Sequence, residues 1–219
     1  IGGGAGVPAT AALDGLPKAY ILEQISAFRA GERGLGDPAT AHGMVEEARA
    51  LTPADLQLAV DYFSATKFVR HVNVVETASV PRTHWHYFVL MPDKDGAREP
   101  IGARIIETPV NFNDYSLGDG RAAYVAYVPP GSIARGASIA SKGAGAVAAC
   151  ESCHGSKLQG VGMIPPLAGR SPSYIARELI LFRTGKRSNP GAAPMVQEAS
   201  QLTLNDMIAV AAYAGSRTP

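Results

Sequence analysis

Two cysteines stand three positions apart with a histidine directly after them: Cys150, Glu151, Ser152, Cys153, His154. They are the only two cysteines in 219 residues. C-x-x-C-H is the pattern by which a haem is fixed to a chain through two thioethers, the adjacent histidine reaching the iron from one face. Two other chemistries use paired cysteines. A structural zinc site needs a second pair of Cys or His ligands at comparable spacing, and none follows. A thioredoxin-like redox pair sits at a strand-to-helix turn, whereas here an Ala- and Gly-rich stretch precedes the motif and a Gly-rich loop follows it. The expected cofactor is therefore a covalently held haem c, one in this chain, with His154 as the proximal ligand.

A low-spin electron-transfer haem takes a second strong ligand, and a methionine there raises the reduction potential relative to a second histidine. Met163, Met195 and Met207 lie downstream of the motif. Met207 falls inside the apolar helical pattern Leu204 to Tyr213, where core packing is the simpler role. Met163 is close to His154, on the attachment side. Met195 follows the Pro- and Gly-rich segment Ser188 to Pro194, a loop able to fold over the open haem face. Met195 is the expected iron ligand, with Met163 as the alternative.

These residues need helices to hold them, and the surrounding sequence supplies helical periodicity at Ser173 to Arg183 and Leu204 to Tyr213. From Gly136 to Ser216 the chain resembles a class I cytochrome c, most like one half of the two-domain cytochrome c4 type. The resemblance rests on C-E-S-C-H-G, on P-P-L-A-G-R at Pro165 to Arg170, on the helix running into F-R-T-G-K-R, on the methionine loop and on a final helix ending A-A-Y-A-G. It implies that the Pro165 carbonyl accepts a hydrogen bond from the His154 Nδ1 proton, which orients the imidazole and strengthens its donation. It also implies a first helix, Gly143 to Cys150, crossing the last one, with Tyr213 near Gly143 and Gly145. Tyr174, Phe182 and Tyr213 are read as core.

The chain also repeats itself. Leu13, Tyr20, Phe28, Arg29, Gly31 and Arg33 match Leu167, Tyr174, Phe182, Arg183, Gly185 and Arg187 at constant spacing. Met44, Val45, Ala48, Leu51, Thr52, Asp55 and Tyr62 then match Met195, Val196, Ala199, Leu202, Thr203, Asp206 and Tyr213. Residues 1–68 thus read as another cytochrome c-like domain. The position equivalent to His154 falls just before Ile1, so either an attachment motif precedes this sequence or the domain holds no haem. Met44 is the candidate ligand of a vestigial or second haem, with His42 as an alternative. Against a second haem, Ala11-Ala12-Leu13 replaces the P-P-L of the other copy.

Between the repeats, residues 69–135 change to short β-rich runs: Val69 to Val75, Trp85 to Met91, Ala103 to Glu107 and Ala122 to Val128. Asp93-Lys94-Asp95-Gly96 supplies hairpin turn chemistry. His84 and His86 would share a solvated strand face, without the further ligands a metal site needs, and Trp85 would point into a core. Tyr124, Tyr127 and Pro129-Pro130 are placed at the approach to the haem domain. The fold class expected is mainly α with a β-rich insert: two cytochrome c-like helical domains, the first lacking its haem motif, flanking a small β segment, with the haem domain at 136–219.

Composition agrees with a globular chain, 46% of it apolar, with 20 Lys and Arg against 19 Asp and Glu. That balance gives no nucleic-acid surface and no polybasic membrane patch. No apolar run approaches the length of a membrane helix, and Ile1 to Thr10 lacks the blocks of a signal peptide, so the sequence reads as a mature or trimmed chain. The resemblance implies a periplasmic single-electron carrier, or the electron-accepting subunit of a dehydrogenase or oxidase system, not catalytic itself. Its partners would be redox proteins such as a dehydrogenase, cytochrome bc1 or a terminal oxidase. If Met195 left the iron open, a peroxidase-like enzyme or ligand sensor is the alternative. In a third reading the first domain and the insert are a docking module.

Overall fold

The computed structural model describes residues 10–33 and 41–219. The first repeat contains α1 (Lys18–Ala30), α2 (Ala41–Ala50) and α3 (Pro53–Ala65). The insert holds β1 (Val72–Glu76), β2 (Ser79–Pro81), β3 (Thr83–His86), β4 (Val89–Pro92), β5 (Arg98–Pro100), β6 (Ile106–Pro109), the short α4 (Phe112–Ser116) and β7 (Tyr124–Val128). The second repeat has α5 (Ser132–Lys142), the single turn α6 (Glu151–His154), α7 (Pro172–Arg183), α8 (Ala193–Gln201) and α9 (Leu204–Ser216). The molecule is mainly helical with small sheets, as the sequence pattern predicts.

The repeats share their local chemistry. Thr52 caps α3 and Thr203 caps α9, each accepting from the backbone N–H of an aspartate three residues on, Asp55 or Asp206, at 3.1 Å. Such a cap satisfies one of the donors a helix start leaves unpaired. In the second repeat, Ile139, Leu158, Ile175, Leu179, Phe182, Met207 and Ala211 form the main core. Met207 is buried there, the packing role its helical spacing suggests.

The helix that crosses α9 is α5, which corrects the expectation of Gly143 to Cys150. Gly143, at φ 78°, ends α5, and residues 144–147 close a tight turn through Ala144 N–H to Val147 O at 3.1 Å and the reverse bond at 2.9 Å. The small residue beneath Tyr213 is Gly136: a Cβ there would stand 2.0 Å from the Ala209 carbonyl oxygen and 2.7 Å from Tyr213 Cβ. The 135/136 division falls inside this helix.

In the insert, β1, β7 and β6 form one sheet in that order, β1 parallel and β6 antiparallel to β7. The remaining strands form a long ribbon, β2 against β5 and β3 against β4. The run Trp85 to Met91 is therefore two strands joined by a turn at Tyr87-Phe88, Tyr87 taking φ 52°. Asp93 to Gly96 does turn, Gly96 N–H reaching Asp93 O at 3.3 Å, but as a bulge within the ribbon, since Arg82 pairs across its base with both Asp93 and Ala97. Trp85 is 71% exposed, a correction to its expected place in a core. His84 Nδ1 lies 2.7 Å from Asp93 Oδ1, and His86 packs edge-on against Tyr87 and Phe112. Among the described residues no group of three His, Cys, Asp or Glu could hold a metal.

Gly136→Ala should cost about 3 kcal/mol, because backbone and not a flexible side chain occupies the space of the new methyl. Thermal unfolding of the holoprotein would show this as a fall in Tm of roughly 6–12 °C.

Candidate functional site

Cys150 ends the irregular stretch after α5, and α6 carries Cys153 and His154 one turn further. His154 is buried, Cys150 is half-buried and Cys153 is exposed. His154 Nδ1 lies 2.8 Å from the Pro165 carbonyl oxygen. A carbonyl only accepts, so Nδ1 carries the proton and Nε2 keeps its lone pair. Burial lowers the His154 pKa, which keeps the imidazole neutral and able to donate to a metal. Burial also pushes the free Cys150 thiol up to about 11.

The loop that supplies Pro165 is folded on itself. Gly160 N–H donates to His154 O at 2.9 Å, while Leu167 and Ala168 N–H both donate to Leu158 O at 2.8 and 3.0 Å. Arg170 fastens this loop to the first repeat: Nε donates to Pro166 O at 2.9 Å, Nη1 to Ala12 O at 2.5 Å and Nη2 to Asp14 O at 3.0 Å.

Cys150, Cys153 and His154 line a cavity of about 400 Å³ whose walls include Leu158, Ile175, Leu179, Phe182, Leu202 and Val210. Volume and lining suit an apolar cofactor. Met195 and Met163 also line it, whereas Met207 does not. Met195 sits in the first turn of α8 and packs against the core, and Met163 is largely exposed. Met44, on α2 and 41% exposed, lies outside this cavity. His42 lies outside the residues whose side chains are described. Tyr124 is buried in the insert core and faces a much smaller cavity shared with Arg170 and Tyr174, while Tyr127 packs on Val80, Ile101 and Ile106.

No protein-family model matches the chain. It is 34% identical over 79 residues to cytochrome c-554(548) of Halomonas halodenitrificans, covering 36% of this chain and 95% of that protein. The chain belongs to the class I cytochrome c family. Its two-domain, c4-like character comes from cytochrome c4 of Pseudomonas aeruginosa, 30% identical over 131 residues, which cover 55% of this chain and 64% of that one. The structure of Acidithiobacillus ferrooxidans cytochrome c4 matches with TM-score 0.61 and 26% identity, over 95% of this chain and 90% of that one. A thiosulfate dehydrogenase electron acceptor of Stutzerimonas stutzeri is 34% identical over 108 residues, covering 43% of this chain and 50% of that protein. The chain thus spans less than two thirds of the length of the latter relative and of the c4 sequence. Haem c is the cofactor of this class I cytochrome c.

The spacing of the motif points to the attachment residues but not to the wall facing them. Tyr20, Glu23 and Gln24 of α1 line the same cavity as His154, so the first repeat closes part of that cavity. The sequence signal for this was the internal match of Tyr20 to Tyr174 and Arg33 to Arg187. Where the repeats meet, Glu178 accepts from Arg33 Nη2 at 3.1 Å, Arg187 Nη1 at 2.5 Å and Arg177 Nη2 at 2.8 Å. Burial alone would raise the Glu178 carboxyl, but the three guanidiniums overcome it and hold it at about 2.

Glu178→Gln should destabilise this cytochrome by about 3–5 kcal/mol, because it strands buried positive charge. The wild-type carboxylate is depressed in the folded state, so its contribution is full above the unfolded carboxyl value and is lost as pH falls from about 4.5 towards 2. Denaturant unfolding from pH 7 to 3 should show this acid limb in wild type and a flatter one in the variant.

Proposed function

We propose that this protein carries single electrons in the periplasm through a haem held by thioethers to Cys150 and Cys153, with His154 and Met195 as axial ligands. The observation that supports it best is that one apolar cavity is lined by Cys150, Cys153, His154 and Met195 together. When bound, the haem supplies one reversible electron step. The chain's part is to fix ligands and exclude water. Pro165 holds the His154 ring in one tautomer and orientation. The aliphatic and aromatic wall keeps dielectric low, which with a thioether ligand favours the reduced state. Met195, rather than Met163, is the proposed distal ligand because it is packed against the core while Met163 is 55% exposed.

A peroxidase-like reading would want a second histidine beside an arginine over an open coordination position. Among the described residues lining the cavity, His154 is the one histidine, which favours the carrier. Covalent haem attachment outside the bacterial cytoplasm supports a periplasmic location, and among the described residues no helix is long and apolar enough to cross a membrane. The relative named as a thiosulfate dehydrogenase electron acceptor supports a role as the accepting partner of a dehydrogenase, passing electrons on to cytochrome bc1 or a terminal oxidase. We assign one haem to this chain, in the domain at 136–219, with 1–68 and 69–135 as a cytochrome-like scaffold and an insert.

Met195→Ala in the haem-loaded protein should abolish the methionine-to-iron charge-transfer band of the oxidised form and lower the reduction potential. An unchanged spectrum and potential would refute Met195 as ligand. Pyridine haemochrome measured against protein mass should give one haem per chain, and Cys150→Ser with Cys153→Ser should give none.

A further inference from the structure

The hairpin tip of the insert is built against two local preferences. Tyr87 and Phe88 are the central residues of the turn that joins β3 to β4, since His86 pairs with Val89. Tyr87 takes φ 52° and Phe88 does not share the positive φ, the pattern of a type II′ turn, whose first central position is normally glycine. A bulky aromatic there is disfavoured by the clash of its Cβ with the backbone. Both rings also stand in water: Tyr87 is 82% and Phe88 68% exposed, beside Trp85 at 71%. A glycine or asparagine would suit the turn and a polar residue would suit the solvent, so neither the hairpin nor its hydration accounts for these side chains. The ribbon behind them is firmly backed. Val89 is buried with Tyr124 and Ala126, Leu90 packs with Val80 and Ile106, and the Phe112 ring of α4 meets His86 at 5.0 Å.

Charge and dimensions select the occupant. From Thr83 to Pro92 the sequence contains no Asp, Glu, Lys or Arg. The flanking charges are Arg82 and Asp93, which pair with each other at 2.6 Å, Arg82 also reaching Asp95 at 2.6 Å. At the rise of a β-strand they stand about 17 Å behind the turn, whereas Trp85 is only about 7 Å behind it. Three aromatic side chains at these exposures present roughly 450 Å² to a partner. A stable protein contact takes about 800 Å² from each side, with a polar rim around it. The tip offers about half that area and no charge to match, so a second copy of the chain or a protein partner is a poor fit. A bilayer makes neither demand. Trp, Tyr and Phe partition to the boundary between headgroups and acyl chains, where an anchor sinks about 5–10 Å. Insertion to that depth takes in Trp85, Tyr87 and Phe88 and leaves the Arg82–Asp93 pair among headgroups and water.

The geometry points to the β3–β4 turn as a membrane anchor: Trp85, Tyr87 and Phe88 dip into the headgroup–acyl boundary of a phospholipid bilayer and hold the protein at its surface. The contact is apolar, so it needs no anionic lipid and is insensitive to salt, in keeping with a chain whose net charge is +1. It goes beyond the electron-carrying reading and does not rest on it, because none of the three residues lines the cavity that holds His154. A carrier anchored in this way meets partners that themselves sit in or on the same membrane.

The experiment floats the haem-loaded chain through a density gradient with phosphatidylcholine vesicles, with and without phosphatidylglycerol, at low and high salt, the protein being detected on gels so that the readout is independent of haem. Wild type should rise with both kinds of vesicle at both salt concentrations. The emission of Trp85, the only tryptophan in the chain, should shift to the blue and be quenched by lipids brominated near the headgroup end of the acyl chain. The triple variant Trp85→Ser, Tyr87→Asn and Phe88→Ser should stay at the bottom while keeping wild-type haem content, Tm and potential; asparagine is chosen because it tolerates the positive φ. Should the triple variant fail to fold, the single changes Trp85→Ser and Tyr87→Asn, each expected to weaken vesicle binding several-fold, decide by the same flotation. Wild type that stays at the bottom with its Trp85 emission unmoved would overturn the inference, as would a triple variant that floats like wild type. Dimers of wild type in sedimentation velocity, with the variant monomeric and neither binding vesicles, would overturn it in favour of a second copy. Vesicle binding by a chain that carries no haem would support the anchor and refute the haem reading, so the two failures are told apart.

Discussion

A single buried carboxylate, Glu178, is the constraint from which much of this molecule follows. Three guanidiniums converge on it, two from its own repeat and Arg33 from the other. Such a cluster is favourable only when complete, because removing any member leaves charge in a medium that solvates it poorly. It therefore locks the relative placement of α1 and α7. From that lock the chain runs directly to the Met195 side of the cavity: Ser188 N–H donates to Glu32 O at 2.9 Å, Asn189 reaches Glu23, and the 3₁₀ turn Pro190–Ala192 delivers Met195 into the first turn of α8.

The proximal side is tied down by a different device with the same destination. His154 is oriented by the Pro165 carbonyl, and the next carbonyl, Pro166, is held by Arg170, whose other two donors bind Ala12 and Asp14 of the first repeat. Arg170 stacks on Phe68 and is buried, which lowers the pKa of its guanidinium. Both loops that frame the cavity are thus anchored to residues of the first repeat. A first repeat that served only as a separate module would need neither contact. Its packing makes it a scaffold for both loops that frame the cavity.

How much of this could be read from the sequence depended on how local the causes were. The attachment motif and the helices at Pro172–Arg183 and Leu204–Ser216 were legible because covalent spacing and 3.6-residue periodicity are short-range properties. The helix α5 was not: with Gly136 and a run of Ala and Ser, it looks like linker, and its glycine makes sense only once α9 lies against it. The turn at Tyr87-Phe88 hid for the opposite reason, as two aromatics without Gly, Asn or Asp read as strand interior. Trp85 on the solvent side of that ribbon broke a burial rule that holds only as a tendency. The cavity wall contributed by Tyr20, Glu23 and Gln24 had one sequence signal, the match of Tyr20 to Tyr174, but a repeat suggests two self-contained domains and does not say how closely they close on each other.

The insert joins the same scheme through α7. Glu107 of β6 is buried at the start of that helix, where its carboxylate accepts from the Ser171 hydroxyl at 2.9 Å and the Ser173 N–H at 3.2 Å. Burial raises its pKa, while the serine donors work against that rise. The positive end of the helix dipole makes this one of the few places where such a carboxylate is tolerated. On the same helix, one turn further on, Ile175 begins the apolar face that continues through Leu179 and Phe182 along the cavity. So α7 is held at its N-terminus by the insert and near its midpoint by the first repeat through Glu178, while Ile175, Leu179 and Phe182 face the cavity. A helix tied down at its start by Glu107 and at its midpoint by Glu178 presents its apolar face to the cavity with little freedom to shift.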